Sequence, residues 1–439
     1  EAVDALAALF EYQKKYDESI ALYVGLVHHG SATAYLQDRI GSLHLLAGRY
    51  RDAIRELEEG QRLDPDDTRG LLALAQAYEG AGDTAVALAA YDRLIQREPG
   101  NLEARFHRAR LVQHEGDPGA ALESFRSILD LASGRGALTE REETVLSLTH
   151  SQIGLIDLES RDFDGAAAAF DKSIESSHDA GPELYLLLGR AHLEKGRMQE
   201  ALSAVAAGRE RYPDDLDLRV FEGEVSVARG DLDEARTYYK TLLKSQKRSP
   251  EAYQAISEAL LRHKRFEDAE AILKEGTRLH PASDALTFAR GAALERLGRL
   301  GEAERLLSKA IHLNPKNAAA LNYLGYMLAD RGMRLKDSLA YVERALAIEP
   351  KNAAYLDSLG WAQFRLALYE PAERNLREAA RYDPADPAIR EHLGDLLMAT
   401  GRPEEAIKEW RTALARGHEE PDKVQAKIDR AGAARKADR

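Results

Sequence analysis

The chain has 439 residues, of which 44% are apolar and 31% charged, and its formal net charge is −13. The acid excess disfavours nucleic acid as a partner, because phosphate binding needs a basic face, and the absence of cysteine excludes disulfides, thiolate zinc sites and a catalytic thiol. No apolar run approaches the roughly 20 residues that cross a membrane, and no secretory leader is visible, although residue 1 is Glu within a helical pattern, so a leader or lipid anchor upstream stays compatible with the sequence.

Small residues recur along the chain at Ser19, Ala53, Ala87, Ala121, Ala166, Ala201, Ala235, Ala269, Ala303, Ser338, Ala372 and Ala406, with steps of 34, 34, 34, 45, 35, 34, 34, 34, 35, 34 and 34. A second series precedes it at Ala7, Gly41, Ala75, Ala109, Gly154, Gly189, Gly223, Ser257, Gly291, Gly325, Gly360 and Gly394. A fixed period of 34 residues is the mark of a helix–turn–helix array. Within one unit, Leu321, Leu324 and Leu328, then Leu339, Val342 and Leu346, fall three or four apart, as on the apolar stripes of two successive helices. Gly48, Gly82, Gly116, Gly196, Gly230, Gly298, Gly332 and Gly401 fall between the two helices, where a residue tolerant of positive φ is needed. Pro65, Pro99, Pro213, Pro281, Pro315, Pro350 and Pro384 separate one unit from the next. A glycine inside a helix costs roughly 1 kcal/mol against alanine, so its return at one phase predicts close helix–helix contact, with Ser338 and its equivalents as the small residues on the facing helix. The bulky second-helix position, Tyr23, Leu57, Tyr91, Phe125, Phe170, Val205, Tyr239, Leu273, Leu307, Val342, Leu376 or Trp410, reads as core packing.

The expectation is an all-α solenoid of about twelve helix pairs. Residues 1–132 form repeats 1–4, 133–143 an insertion loop, 144–420 repeats 5–12, and 421–439 a capping helix with a basic tail. The step of 45 lies at SGRGALTEREE, which reads as a loop or an extension of the next helix, with a harmless loop and a hinge or partner-contacting finger as the two readings. Near the end, Val424, Ile428 and Ala431 share one helix face, as a cap over the last repeat requires. From Asp422 onward there are six basic and three acidic residues.

Chemistry is sparse. Thirteen histidines form no metal-ligand pattern, and the adjacent His28 and His29 point in different directions. Phosphate loops and nucleophile elbows are absent. The carboxylates read as scattered over helix surfaces, with none paired in an apolar setting as an acid and base would be. No catalytic residue, metal or cofactor is expected.

The pattern of small residues at the eighth and twentieth positions, a bulky one at the twenty-fourth and Pro at the thirty-second resembles the tetratricopeptide repeat over nearly the whole chain. The resemblance implies a right-handed superhelix whose first helices line a concave groove through positions two, five, nine and twelve. Carried over residue by residue, these are Asn322 and Tyr326 in repeat 10; Asp357, Trp361 and Phe364 in repeat 11; and Glu391, Asp395 and Met398 in repeat 12. Earlier repeats add Phe106 and Arg110, Arg190, and Phe288. Trp361 has two readings, as a groove aromatic or as packing against the neighbouring first helix. Asn322 occupies one position of the carboxylate clamp of some co-chaperones, but the accompanying lysines are missing and Tyr326 takes the next slot. That departure argues against holding a C-terminal carboxylate; Asp357, Glu391 and Asp395 favour a cationic or polar–apolar segment instead. The C-terminal repeats also resemble bacterial envelope lipoproteins of this class, some of which are adaptors for periplasmic processing proteases. The resemblance thus implies a protein or peptide partner and a scaffold or adaptor role, in the cytoplasm or in the bacterial periplasm or outer membrane, with the recognition arm of a larger enzyme, such as a glycosyltransferase, as a third reading.

Overall fold

The computed structural model describes residues 2–28, 33–114 and 116–437, and it resolves into two compact units, Glu1–Lys195 and Gly196–Arg439. His29 lies outside the described residues. Among the described residues the regular elements are all helices. The first unit holds α1 (Ala2–Tyr12), α2 (Tyr16–His28), α3 (Ala34–Leu46), α4 (Tyr50–Leu63), α5 (Thr68–Ala81), α6 (Thr84–Arg97), α7 (Leu102–His114), α8 (Pro118–Ser133), α9 (Glu140–Glu159), α10 (Phe163–Glu175) and α11 (Pro182–Glu194). The second holds α12 (Met198–Arg211), α13 (Leu216–Arg229), α14 (Leu232–Ser245), α15 (Pro250–Arg262), α16 (Phe266–Leu279), α17 (Asp284–Arg296), α18 (Leu300–Leu313), α19 (Ala318–Asp330), α20 (Leu335–Ile348), α21 (Ala353–Arg365), α22 (Tyr369–Tyr382), α23 (Pro387–Ala399), α24 (Pro403–Ala415) and α25 (Pro421–Ala437). Within each unit the helices follow the sequence phase, a first helix alternating with a second, and α25 follows the last pair as an extra helix.

The small residues act as close contacts. A Cβ built on Gly325 would lie 2.5 Å from Val342 Cγ2 and 3.0 Å from the Ser338 carbonyl oxygen, and one on Gly394 would lie 2.5 Å from the Trp410 ring. On the facing helix, Ser338 is fully buried and its Oγ donates to the Gly325 carbonyl at 2.6 Å. Pairs such as α19–α20, α21–α22 and α23–α24 therefore close by backbone approach, with the bulky second-helix residue lying over the first-helix glycine. Many first helices start on side-chain caps: the Asn317 side chain accepts from Ala320 N at 2.8 Å, and Asn352 from Tyr355 N at 3.2 Å. Such caps satisfy amides that the helix leaves unpaired, each contributing about 1 kcal/mol. The prolines stand between these caps and the preceding second helix, as at Pro315 and Pro350.

The insertion mostly lengthens helices. Helix α9 runs 20 residues where other first helices run 11 to 14. The six residues between α8 and α9 are pinned: Arg135 donates to the Gly100 carbonyl and pairs with Glu142, while Thr139 and Glu142 form a capping box. Of the loop and the helix extension expected here, much of the inserted length extends α9, and the short remaining turn is tied back to Gly100, just before α7.

Candidate functional site

The wall made by the consecutive first helices α19, α21 and α23, with α25 beyond them, gathers the C-terminal candidates. Trp361 on α21 is only 8% exposed. Its indole stacks on the His392 imidazole of α23, with centroids 4.2 Å apart and planes at 20°. Tyr326 of α19 approaches the same imidazole at 6.0 Å, and Phe364 lies 5.2 Å from Trp361. The Arg365 guanidinium sits 5.8 Å above the Trp361 ring and donates to the Asp330 carbonyl. Of the two readings of Trp361, the structure has the one in which it packs on the neighbouring first helix. Its Nε1 is buried and has no hydrogen-bond partner among the described residues, as does Asn322 Oδ1. Tyr326 and Phe364 are half-buried, and Met398 is 38% exposed.

The carboxylates differ from the sequence expectation in their setting. Asp357 is buried, and His392 Nδ1 donates to both its oxygens at 2.9 Å. Burial pulls the imidazole towards the neutral form, but the Asp357 carboxylate more than offsets this, leaving the His392 pKa above the usual histidine value. Glu391 accepts from Lys427 Nζ at 2.6 Å and pairs with His418 Nε2 at 2.9 Å. Asp395 takes the same ammonium at 2.6 and 2.7 Å and accepts from Trp410 Nε1 at 3.0 Å. Burial raises Glu391 and lowers Lys427, yet their hydrogen bonds and charges reverse both shifts, so Glu391 stays below its ordinary value and Lys427 above its own. Each of the three carboxylates thus has an internal cation. They were expected to meet a cationic partner, but a ligand would have to displace these pairs first. A short pattern of alternate neighbours, not a contiguous motif, joins Asp357 to His392 and Asp395 to Lys427. Sequence reading therefore missed His392 and Lys427, and only the register of α23 against α21 on one side and of α25 against α23 on the other could have placed them.

Residues 166–428 match the family model described as the cilia and flagella-associated protein 70 C-terminal domain, and residues 39–85 and 72–135 match a tetratricopeptide repeat model. The chain belongs to the tetratricopeptide repeat family. The TPR repeat-containing protein PA4667 of Pseudomonas aeruginosa is 28% identical over 215 residues, which is 47% of this chain and 36% of that protein. Human tetratricopeptide repeat protein 7A is 22% identical over 369 residues, 84% of this chain and 35% of that protein. The chain thus spans about a third of the length of these curated relatives. The crystal structure of yeast Tom70 aligns with a TM-score of 0.47 and 17% identity, covering 100% of this chain and 96% of that one.

The remaining candidates sit on other first helices of this tetratricopeptide array. Phe106 is buried, packed on Phe125 at 5.8 Å. Arg110 lies 6.0 Å over the Phe106 ring and pairs with Glu79 at 3.3 Å. Glu79 also accepts from Tyr91 Oη at 2.7 Å and pairs with His107 at 3.1 Å. Arg190 is half-buried on α11, and Phe288 meets Tyr323 edge-on at 5.7 Å. Among the described residues no group of three or more side chains is placed to hold a metal ion, and no helix is long and apolar enough to cross a membrane.

Proposed function

We propose that this chain is a non-catalytic scaffold that binds an extended peptide or a partner domain along the wall of its first helices. Tetratricopeptide arrays are in general protein-interaction modules, so a protein partner is the class of ligand. The observation that carries the finer reading is the apolar strip of Tyr326, Phe364 and Met398, which reaches solvent across three consecutive first helices while the carboxylates around it are engaged internally. Aromatic surface of this kind concentrates binding energy, at roughly 2 kcal/mol or more for a true hot spot. The test is affinity capture from lysate of the source organism with native protein beside a Tyr326→Ser/Phe364→Ser/Met398→Asp variant. Trp361 is left in place because its burial makes it part of the packing. Circular dichroism and the thermal midpoint check that the variant folds. A partner held by the native protein and lost from the folded variant is the expected result; equal capture by both overturns the assignment of the site.

A narrower reading, as a bacterial envelope adaptor that delivers substrates to a protease or assists outer-membrane assembly, draws on the resemblance of the C-terminal repeats and on the similarity to the Pseudomonas aeruginosa protein. Fractionation of cells expressing the complete reading frame tests it: the adaptor belongs in the envelope fraction, and a cytosolic pool alone would exclude it.

A further inference from the structure

A pocket of about 410 Å³ opens between α21, α23, α24 and α25. Phe364, Met398, Ala431 and the Trp410 ring give it apolar walls, and Lys427 and Arg430 stand at its edge. The two cations are in different states. Lys427 is held between Glu391 and Asp395, and its ammonium has no capacity left for a partner. Arg430 is exposed, donates only through Nε to the Ala426 carbonyl of its own helix at 3.1 Å, and forms no ion pair among the described residues. Asp395, the one carboxylate lining the pocket, is spent on Lys427 and Trp410. Among the pocket's lining residues, an apolar cavity therefore lies beside one uncommitted positive charge.

We propose that this pocket takes the apolar side chain of a partner segment whose neighbouring residue is Asp or Glu, with Arg430 holding that carboxylate. The occupant is a partner protein segment with the acid on a side chain. This rests on the scaffold reading above and deepens it: α25, expected to cap the array, supplies one wall and the charge. Apolar contact gives most of the affinity, and the guanidinium gives the sign preference.

Only two tryptophans occur in the chain, so the full-length ¹⁵N-labelled protein gives two indole N–H signals, and Trp361→Phe assigns them. The probes are blocked hexapeptides, acetyl-Gly-Ser-Asp-Phe-Ser-Gly-amide and its counterparts with Lys-Phe or Asp-Ser at the centre, and acetyl-Gly-Ser-Gly-Phe with a free terminus. The Asp-Phe peptide should move the Trp410 signal saturably and more tightly than the other three. Arg430→Glu should weaken it about fivefold, the range of an exposed ion pair, and should strengthen the Lys-Phe peptide; the Trp361 signal reports that the variant is folded. Equal response to Asp-Phe and Lys-Phe, response to the free terminus alone, or indifference to Arg430→Glu overturns the proposal. Silence of both indoles, with partner capture still lost on substitution of Tyr326, Phe364 and Met398, overturns the pocket and leaves the scaffold reading standing. A specific Asp-Phe response where capture ignores those substitutions does the reverse.

Discussion

Taking a carboxylate out of water costs several kcal/mol unless a counter-charge goes with it, and Asp357 meets its counter-charge on the next first helix in His392. Removing only the cation by His392→Gln leaves a buried, uncompensated charge and should destabilise the second unit by about 3 kcal/mol, read from urea unfolding. The pH dependence follows from the direction of the shift. The folded pKa of His392 lies above its ordinary value, so the folded state binds the proton more tightly than the unfolded chain. Its contribution is complete below the unfolded value of about 6.5 and disappears as pH rises through the raised folded value. The reference is the neutral pair Asp357→Asn/His392→Gln, which keeps the shapes and loses the charges. The advantage of the native protein over it should be largest near pH 6 and shrink towards pH 9. An advantage that stays level or grows with pH would refute the ionic assignment.

Each helix-to-helix turn needs one residue with positive φ, and the geometry is stricter than the residue choice. The eight expected glycines all adopt it, from Gly48 at 70° to Gly401 at 78°. The turns without glycine do the same with Lys14 at 55°, Arg161 at 63°, Lys264 at 55° and Ala367 at 60°. Those four residues carry no signal of their own, because the turn is imposed by pairing of the two helices around it, and only the 34-residue phase locates them. A side chain with a Cβ is strained there by about 1 kcal/mol or more. Ala367→Gly should therefore stabilise the second unit by about 1 kcal/mol less the backbone entropy of glycine, and Gly332→Ala, at 66°, should destabilise it by about 1 kcal/mol. Chemical denaturation of the two variants gives opposite signs; a shared sign would show that the turns relax instead of holding φ.

At the scale of the whole chain, the repeat was legible because its requirements recur: a small residue at each close helix contact and one turn per unit of about 34 residues, with a proline between many of the units. The site was legible only in part. Tyr326, Phe364 and Met398 follow from position in the repeat, whereas the pairing of Asp357 with His392 depends on how α21 and α23 are offset, and that of Glu391 and Asp395 with Lys427 on how α25 lies against α23, which no single repeat contains. That same construction sets how damage spreads. Within the second unit, the substantial contacts of each helix are with helices one or two places along the chain, as expected where stability is a sum of units and their nearest-neighbour interfaces. Leu376 is fully buried on α22 and lies over Gly360. Leu376→Ala should cost about 3 kcal/mol through the cavity it leaves. Hydrogen exchange should then show lost protection in α21, α22 and α23, while α13 to α16 keep their native rates. If exchange accelerates equally in both groups, the second unit unfolds as one cooperative block, and the nearest-neighbour description of its stability fails.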